Sequence, residues 1–174
     1  MLQDEQATAR LATTLAGMVR RGDVLLLSGP LGAGKTAFAR ALIRARLADP
    51  GLVVASPSFT LVQTYCEPQG SEIWHADLYR LNGEEDVEDL GLEEAIDEGA
   101  LMLVEWPERA AALFEGIDRL EIRLAPVACD DNRRLVHLAG IGGDWPARLN
   151  ALACHEMTGI SDPAPHHKKG RTEP

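Results

Sequence analysis

The sequence predicts an α/β fold, a three-layer sandwich in which helices cover both faces of a mostly parallel central sheet. Three observations predict it. The run Gly29-Pro30-Leu31-Gly32-Ala33-Gly34-Lys35-Thr36 has the form G-x-x-x-x-G-K-T and lies between the apolar stretch Val24-Leu25-Leu26-Leu27 and an amphipathic segment. A second continuous apolar run, Leu101-Met102-Leu103-Val104, is bounded by Gly99 and Pro107 and reads as another strand buried on both faces, as parallel strands are. The chain has 174 residues, 45% of them hydrophobic, which is enough for one well-buried core and short for two. Residues 1–158 therefore read as one domain of the P-loop type.

Each element follows from local pattern. From about Asp4 to Arg21, Ala7, Leu11, Leu15, Met18 and Val19 share a helical stripe, and Gly22 stands as its stop. Val24 to Ser28 is a buried strand. A helix from Lys35 to Leu47 places Phe38, Leu42 and Ala45 on one side and ends at Asp49-Pro50-Gly51. Strands follow at Leu61 to Cys66 and Glu72 to Tyr79, joined by the turn Glu67-Pro68-Gln69-Gly70. Two short acidic helices, broken near Gly91, lead to the strand at Leu101 to Val104. A helix from Pro107 to Phe114, strands at Arg119 to Leu124 and Arg134 to Leu138, and a closing helix from Trp145 to about His155 complete the domain. Beyond Gly159 the composition turns to Pro163, Pro165, His166, His167, Lys168 and Lys169, so residues 159–174 read as a disordered, solvated tail.

Charge and cysteines exclude several classes. The net charge is −10, and Glu84 to Glu98 alone holds nine acidic residues and no basic one, a run read as a solvated helical face. Phosphate contacts dominate nucleic-acid affinity, so no direct stable grip on DNA or RNA is expected. Cys66, Cys129 and Cys154 are odd in number and lack C-x-x-C spacing, which reads as reduced and structural. The opening residues carry no basic-then-apolar leader pattern and no apolar run approaches spanning length, so a cytoplasmic protein without membrane segments is expected.

The loop at 29–36 is built for phosphate. Its glycines let backbone N–H groups, those of Gly32, Ala33 and Gly34 among them, form an anion nest at the positive end of the following helix. Lys35 would reach the β- and γ-phosphates, and the Thr36 hydroxyl would be a magnesium ligand. Catalysis also needs a metal anchor and a group that orients the attacking atom. Glu105 follows Val104 at the carboxyl end of a strand, where open parallel sheets place ligands, and fills the slot of a Walker B acid. The alternative is an ordinary carboxylate capping the next helix. In Trp74-His75-Ala76-Asp77-Leu78-Tyr79, strand alternation puts His75, Asp77 and Tyr79 on one face. Spacing alone does not choose between a catalytic and a structural Asp77, while His75 and Tyr79 read as tuning or packing residues. Ser56-Pro57-Ser58-Phe59-Thr60 is either a switch that senses the γ-phosphate or a self-capping turn. An N-K-x-D motif is absent, which disfavours a GTPase. Rival readings are a small-molecule kinase, with Asp77 as base, and a regulatory module that holds the nucleotide without turning it over.

Four motifs in order, Gly-Pro-Leu-Gly-Ala-Gly-Lys-Thr at 29–36, Ser-Pro-Ser-Phe-Thr-Leu-Val at 56–62, His-Ala-Asp-Leu-Tyr-Arg-Leu at 75–81 and Glu-Trp-Pro-Glu at 105–108, resemble TsaE. That family is the bacterial ATPase of the tRNA adenosine threonylcarbamoyltransferase complex. The resemblance implies ATP with Mg²⁺, slow hydrolysis that depends on partners, and a TsaD-like transferase and TsaB-like companion as those partners. The ATPase cycle would reset the transferase between turnovers. Carried over by motif, Lys35 contacts phosphates, Thr36 and Glu105 hold magnesium, Asp77 and Glu105 are the catalytic pair, and Trp106 packs beside the site or a partner. The acidic opening Asp4-Glu5-Gln6-Ala7-Thr8 implies an adenine-side contact from Thr8. Pro30 stands where the family commonly has Asp, and Ser58 where it has Thr.

Overall fold

The structure, a computed structural model, describes residues 1–81, 85–128 and 130–158. The expected disordered tail at 159–174, the expected structural Cys129 and the first acidic residue of the run, Glu84, lie outside the described residues. In chain order the elements are α1 (Glu5–Ala16), β1 (Val24–Ser28), α2 (Lys35–Arg46), β2 (Val62–Cys66), β3 (Glu72–Asp77), α3 (Glu85–Glu88), α4 (Leu92–Asp97) and β4 (Leu101–Glu105). A 3₁₀ helix (Pro107–Phe114), β5 (Arg119–Val127), β6 (Asp130–Ile141) and α5 (Trp145–Thr158) follow.

The strands form one sheet in the order β2-β3-β4-β1-β5-β6. β3, β4, β1 and β5 run parallel, and β2 and β6 close the two edges antiparallel. This is the mostly parallel α/β sandwich that the sequence predicts. Side-chain alternation divides the core in two. On one face Leu25 and Leu27 of β1 and Leu101 and Leu103 of β4 meet Leu15 of α1, Phe38, Leu42 and Ile43 of α2, and Trp145 of α5. On the other, Val24, Leu26, Met102 and Val104 meet Leu92 and Ala95 of α4 and Phe114 of the 3₁₀ helix. Both central strands are apolar throughout because both of their faces are covered.

Several boundaries differ from expectation. α1 ends at Gly17 rather than Arg21: Asp4 caps its start, its side chain accepting from the Ala7 N–H at 2.6 Å, and Met18 and Val19 follow as a turn. Val19 is still buried, which is why the helical stripe seemed to continue. The helix expected over 107–114 has those bounds, and it is a 3₁₀ helix with a kink at Ala110. The β5–β6 hairpin is much longer than the alternating segments suggest, and Leu2 extends it, pairing with Arg134 through backbone bonds of 2.8 and 2.9 Å. Cys66 is a free thiol exposed at the end of β2.

Away from the phosphate loop, the C-terminal end of α2 is fastened by one side chain. Arg46 donates from Nη1 to the carbonyls of Ala16 and Val19 and from Nε to Glu67 at 2.9 Å. Glu67 is buried and also accepts from the Ser71 hydroxyl at 2.6 Å. Among the described residues no helix is long and apolar enough to cross a membrane.

Candidate nucleotide site

The carboxyl ends of β1, β3 and β4 share one edge of the sheet, and every predicted catalytic or metal residue lies there. β1 feeds directly into the loop at 29–34. Gly29 has φ +138°, and a Cβ there would run into the Leu124 carbonyl of β5, so neither its conformation nor its space admits a side chain. Gly34, at φ +100°, precedes α2 without any side-chain cap, which leaves the first N–H groups of that helix to be met by an anion.

Behind the loop stands Arg134 of β6, whose Nε donates to the Ala33 carbonyl at 3.2 Å and whose Nη2 reaches the Gly32 carbonyl at 3.5 Å. Across a trans peptide C=O and N–H point in opposite directions. Drawing the Ala33 carbonyl toward Arg134 therefore turns the Gly34 N–H the other way, into the nest.

Lys35 is folded back on its own loop. Its Nζ donates to the Gly29 carbonyl at 2.7 Å and the Pro30 carbonyl at 3.0 Å, and lies 3.7 Å from the centre of the Trp106 ring. Burial pushes the ammonium below its ordinary value of 10.5, against the opposing pull of Glu105, Glu108 and Asp77. Trp106 covers it from a left-handed backbone conformation, φ 59° and ψ 49°, which costs a residue with a side chain on the order of 1–2 kcal/mol. Tyr79 packs against the same indole at 4.8 Å.

Glu105 closes β4 almost fully buried. One carboxylate oxygen accepts from the Thr36 hydroxyl at 2.9 Å, and the other lies 2.9 Å from His75 Nε2. Asp77 is its register partner on β3. The Asp77 carboxylate accepts from the Ser58 hydroxyl at 3.1 Å and the Tyr79 N–H at 3.2 Å, and Ser58 is joined to Ser56 at 2.6 Å. The Ser56–Thr60 segment is thus tied to Asp77 rather than capping only itself. Next to it, Leu61 adopts φ 62° so that its carbonyl can accept the Asp77 N–H at 2.8 Å.

The structure thus brings Lys35, Thr36, Asp77 and Glu105 together with the loop glycines. Thr8 is a different case: it is buried in α1, and its hydroxyl donates to the Asp4 carbonyl at 3.3 Å, within its own helix. Sequence reasoning missed two contributors. Nothing local in the sequence links Arg134 to the loop, and the His75–Glu105 bond depends on two strands of separate sequence falling into register.

The donor set suits Mg²⁺. A hydroxyl and a carboxylate side by side are hard oxygen ligands, and Mg²⁺ takes few of its ligands from protein when phosphate supplies others. No cluster of three or more His, Cys, Asp or Glu that could hold a metal alone occurs among the described residues.

Residues 2–135 match the family model described as "Threonylcarbamoyl adenosine biosynthesis protein TsaE". The chain is 39% identical over 135 residues to the tRNA threonylcarbamoyladenosine biosynthesis protein TsaE of Rickettsia felis, covering 78% of this chain and 75% of that one. It is 30% identical over 155 residues to the protein of the same name from Bacillus subtilis, covering 87% and 90%. Among solved structures, "Crystal structure of Bacillus subtilus YdiB" superposes with a TM-score of 0.67 at 28% identity, covering 88% of this chain and 91% of that one. With the family model matched over most of its length and relatives of 30–39% identity covered to three quarters or more, the chain belongs to the TsaE family of tRNA threonylcarbamoyladenosine biosynthesis proteins.

Proposed function

We propose that the chain binds ATP with Mg²⁺ at the 29–36 loop and hydrolyses it slowly, and that a TsaD-like transferase and a TsaB-like companion accelerate this hydrolysis. The nucleotide cycle then resets the transferase between rounds of threonylcarbamoylation. The observation that carries this reading is the hydrogen-bonded pair of half-buried Thr36 and buried Glu105 at the mouth of the loop, with Asp77 one strand away.

Each residue has a defined task. Lys35 leaves the Gly29 and Pro30 carbonyls for phosphate oxygens, exchanging neutral acceptors for charged ones, and charge-assisted bonds are the stronger kind. Thr36 and Glu105 would hold the magnesium, which when bound neutralises charge on the phosphates. Asp77, fixed in place by Ser58 and the Tyr79 N–H, orients the attacking water. Trp106 and Tyr79 shield the Lys35 side of the site. The net charge of −10 fits a subunit that acts on protein partners and leaves tRNA to them.

Turnover of ATP by the purified protein, alone and with TsaB and TsaD of the same organism, tests the proposal. Glu105→Gln serves as the control. Stimulation that the control loses supports it. Tight ATP binding with no stimulation would refute hydrolysis and favour a regulatory nucleotide-binding module. ADP formation that requires an added metabolite would point to a kinase.

A further inference from the structure

We infer that His75 is a positioning residue that holds the Glu105 carboxylate in its metal-binding orientation, an inference that rests on reading Thr36 and Glu105 as the magnesium-holding pair. His75 is fully buried in β3, paired across the sheet with Leu103 of β4 and Gln63 of β2. Its Nε2 meets Glu105 at 2.9 Å, and an ionised carboxylate only accepts, so Nε2 carries the proton and donates. Its Nδ1 is buried without a hydrogen-bond partner among the described residues. An orphaned buried nitrogen is a cost that a leucine in the same slot would not incur. The imidazole therefore contributes through its other nitrogen.

That contribution is orientation. A terminal carboxylate turns easily about its last bond, and its two oxygens are equivalent until something distinguishes them. His75 takes one oxygen from inside the sheet, so the other is left facing Thr36, toward the phosphate loop. Partners of this kind behind a metal ligand fix its direction, and their loss typically weakens metal affinity about 10–100-fold.

Calorimetric binding of a non-hydrolysable ATP analogue over a series of Mg²⁺ concentrations tests this without recourse to activity. His75→Leu is expected to raise the Mg²⁺ concentration for half-maximal enhancement roughly tenfold or more while leaving the metal-free affinity unchanged. His75→Gln, whose amide can present an N–H to Glu105, is expected to restore most of the wild-type requirement. An unaltered Mg²⁺ requirement in His75→Leu would overturn the inference, as would an equal loss with and without metal, which marks a purely structural residue. If His75→Leu does not fold, His75→Asn takes its place. Its shorter amide stops short of Glu105, and a requirement equal to that of His75→Gln would overturn the inference. Wild-type binding that ignores Mg²⁺ would instead refute the magnesium reading itself, and this inference with it.

Discussion

Replacing Glu105 in two ways separates the bonds it makes from the charge it carries. Glu105→Ala removes the acceptor for two donors, the buried His75 and the half-buried Thr36. His75 Nε2–H has nowhere else to turn, and stranding a buried donor costs about 1–3 kcal/mol. The deleted methylene adds about 0.8 kcal/mol of lost burial. Thr36 can rotate its hydroxyl and contributes little. Glu105→Gln keeps the shape and can satisfy both neighbours, its carbonyl accepting from His75 and its amide donating to the Thr36 oxygen. Both variants abolish the buried negative charge, so that effect cancels in the comparison. The alanine variant is expected to be less stable than the glutamine variant by about 2–4 kcal/mol in urea unfolding followed by circular dichroism. Both are expected to lose Mg²⁺-dependent nucleotide binding. Equal stability of the two variants would refute the hydrogen-bond accounting, and intact Mg²⁺ dependence in Glu105→Gln would refute the role of its charge.

Lys35→Met tests the buried ammonium. Between the lowered pKa and 10.5 the unfolded chain holds a proton that the native protein does not, so wild-type stability rises with pH through that window and the charge costs stability below it. The variant without nucleotide is therefore expected to unfold at no lower a temperature than wild type at pH 7, while losing about 2 kcal/mol or more of ATP affinity, roughly 30-fold. A clear drop in its midpoint would count against this. Asp77→Asn is expected to bind ATP as wild type does and to lose turnover by about 10²-fold, and an equal loss of both would make Asp77 structural. Arg134→Ala keeps the backbone pairing with Leu2 but frees the loop carbonyls, so faster amide exchange at residues 31–34 and an affinity loss of about 1 kcal/mol, roughly fivefold, are expected. Unchanged exchange would show that the loop holds its own shape.

What could be read from the sequence was what is local. β1, β4 and the start of α2 carry their evidence in consecutive residues: unbroken apolar runs for strands buried twice, and a glycine-rich turn that opens on a lysine and a threonine. Lys35, Thr36 and Glu105 follow from that context, whereas spacing alone leaves Asp77 open between a catalytic and a structural residue. The 3₁₀ helix was not legible because its apolar residues suit either helix type, and the kink at Ala110 follows from packing on the sheet. Arg134 acts on a loop about a hundred residues earlier in the chain, and only the hairpin register puts it there. Alternation leaves His75 open between tuning and packing because its partner lies on another strand.

Arg46 gives the molecule a stiff end and a yielding one. Where it gathers the ends of α1 and α2 and the β2–β3 turn, three carbonyl and carboxylate oxygens accept from one half-buried side chain, and its glutamate accepts in addition from Ser71. At the opposite edge the loops are held by Lys35, Ser58 and Arg134, through bonds to groups that a ligand or a neighbour can replace. On the proposed nucleotide exchange, displacement is therefore expected in the loops of that edge, with the sheet as a fixed frame of reference. A protein docked across that edge would sense the occupant through loop positions alone, and one docked near Arg46 would sense nothing.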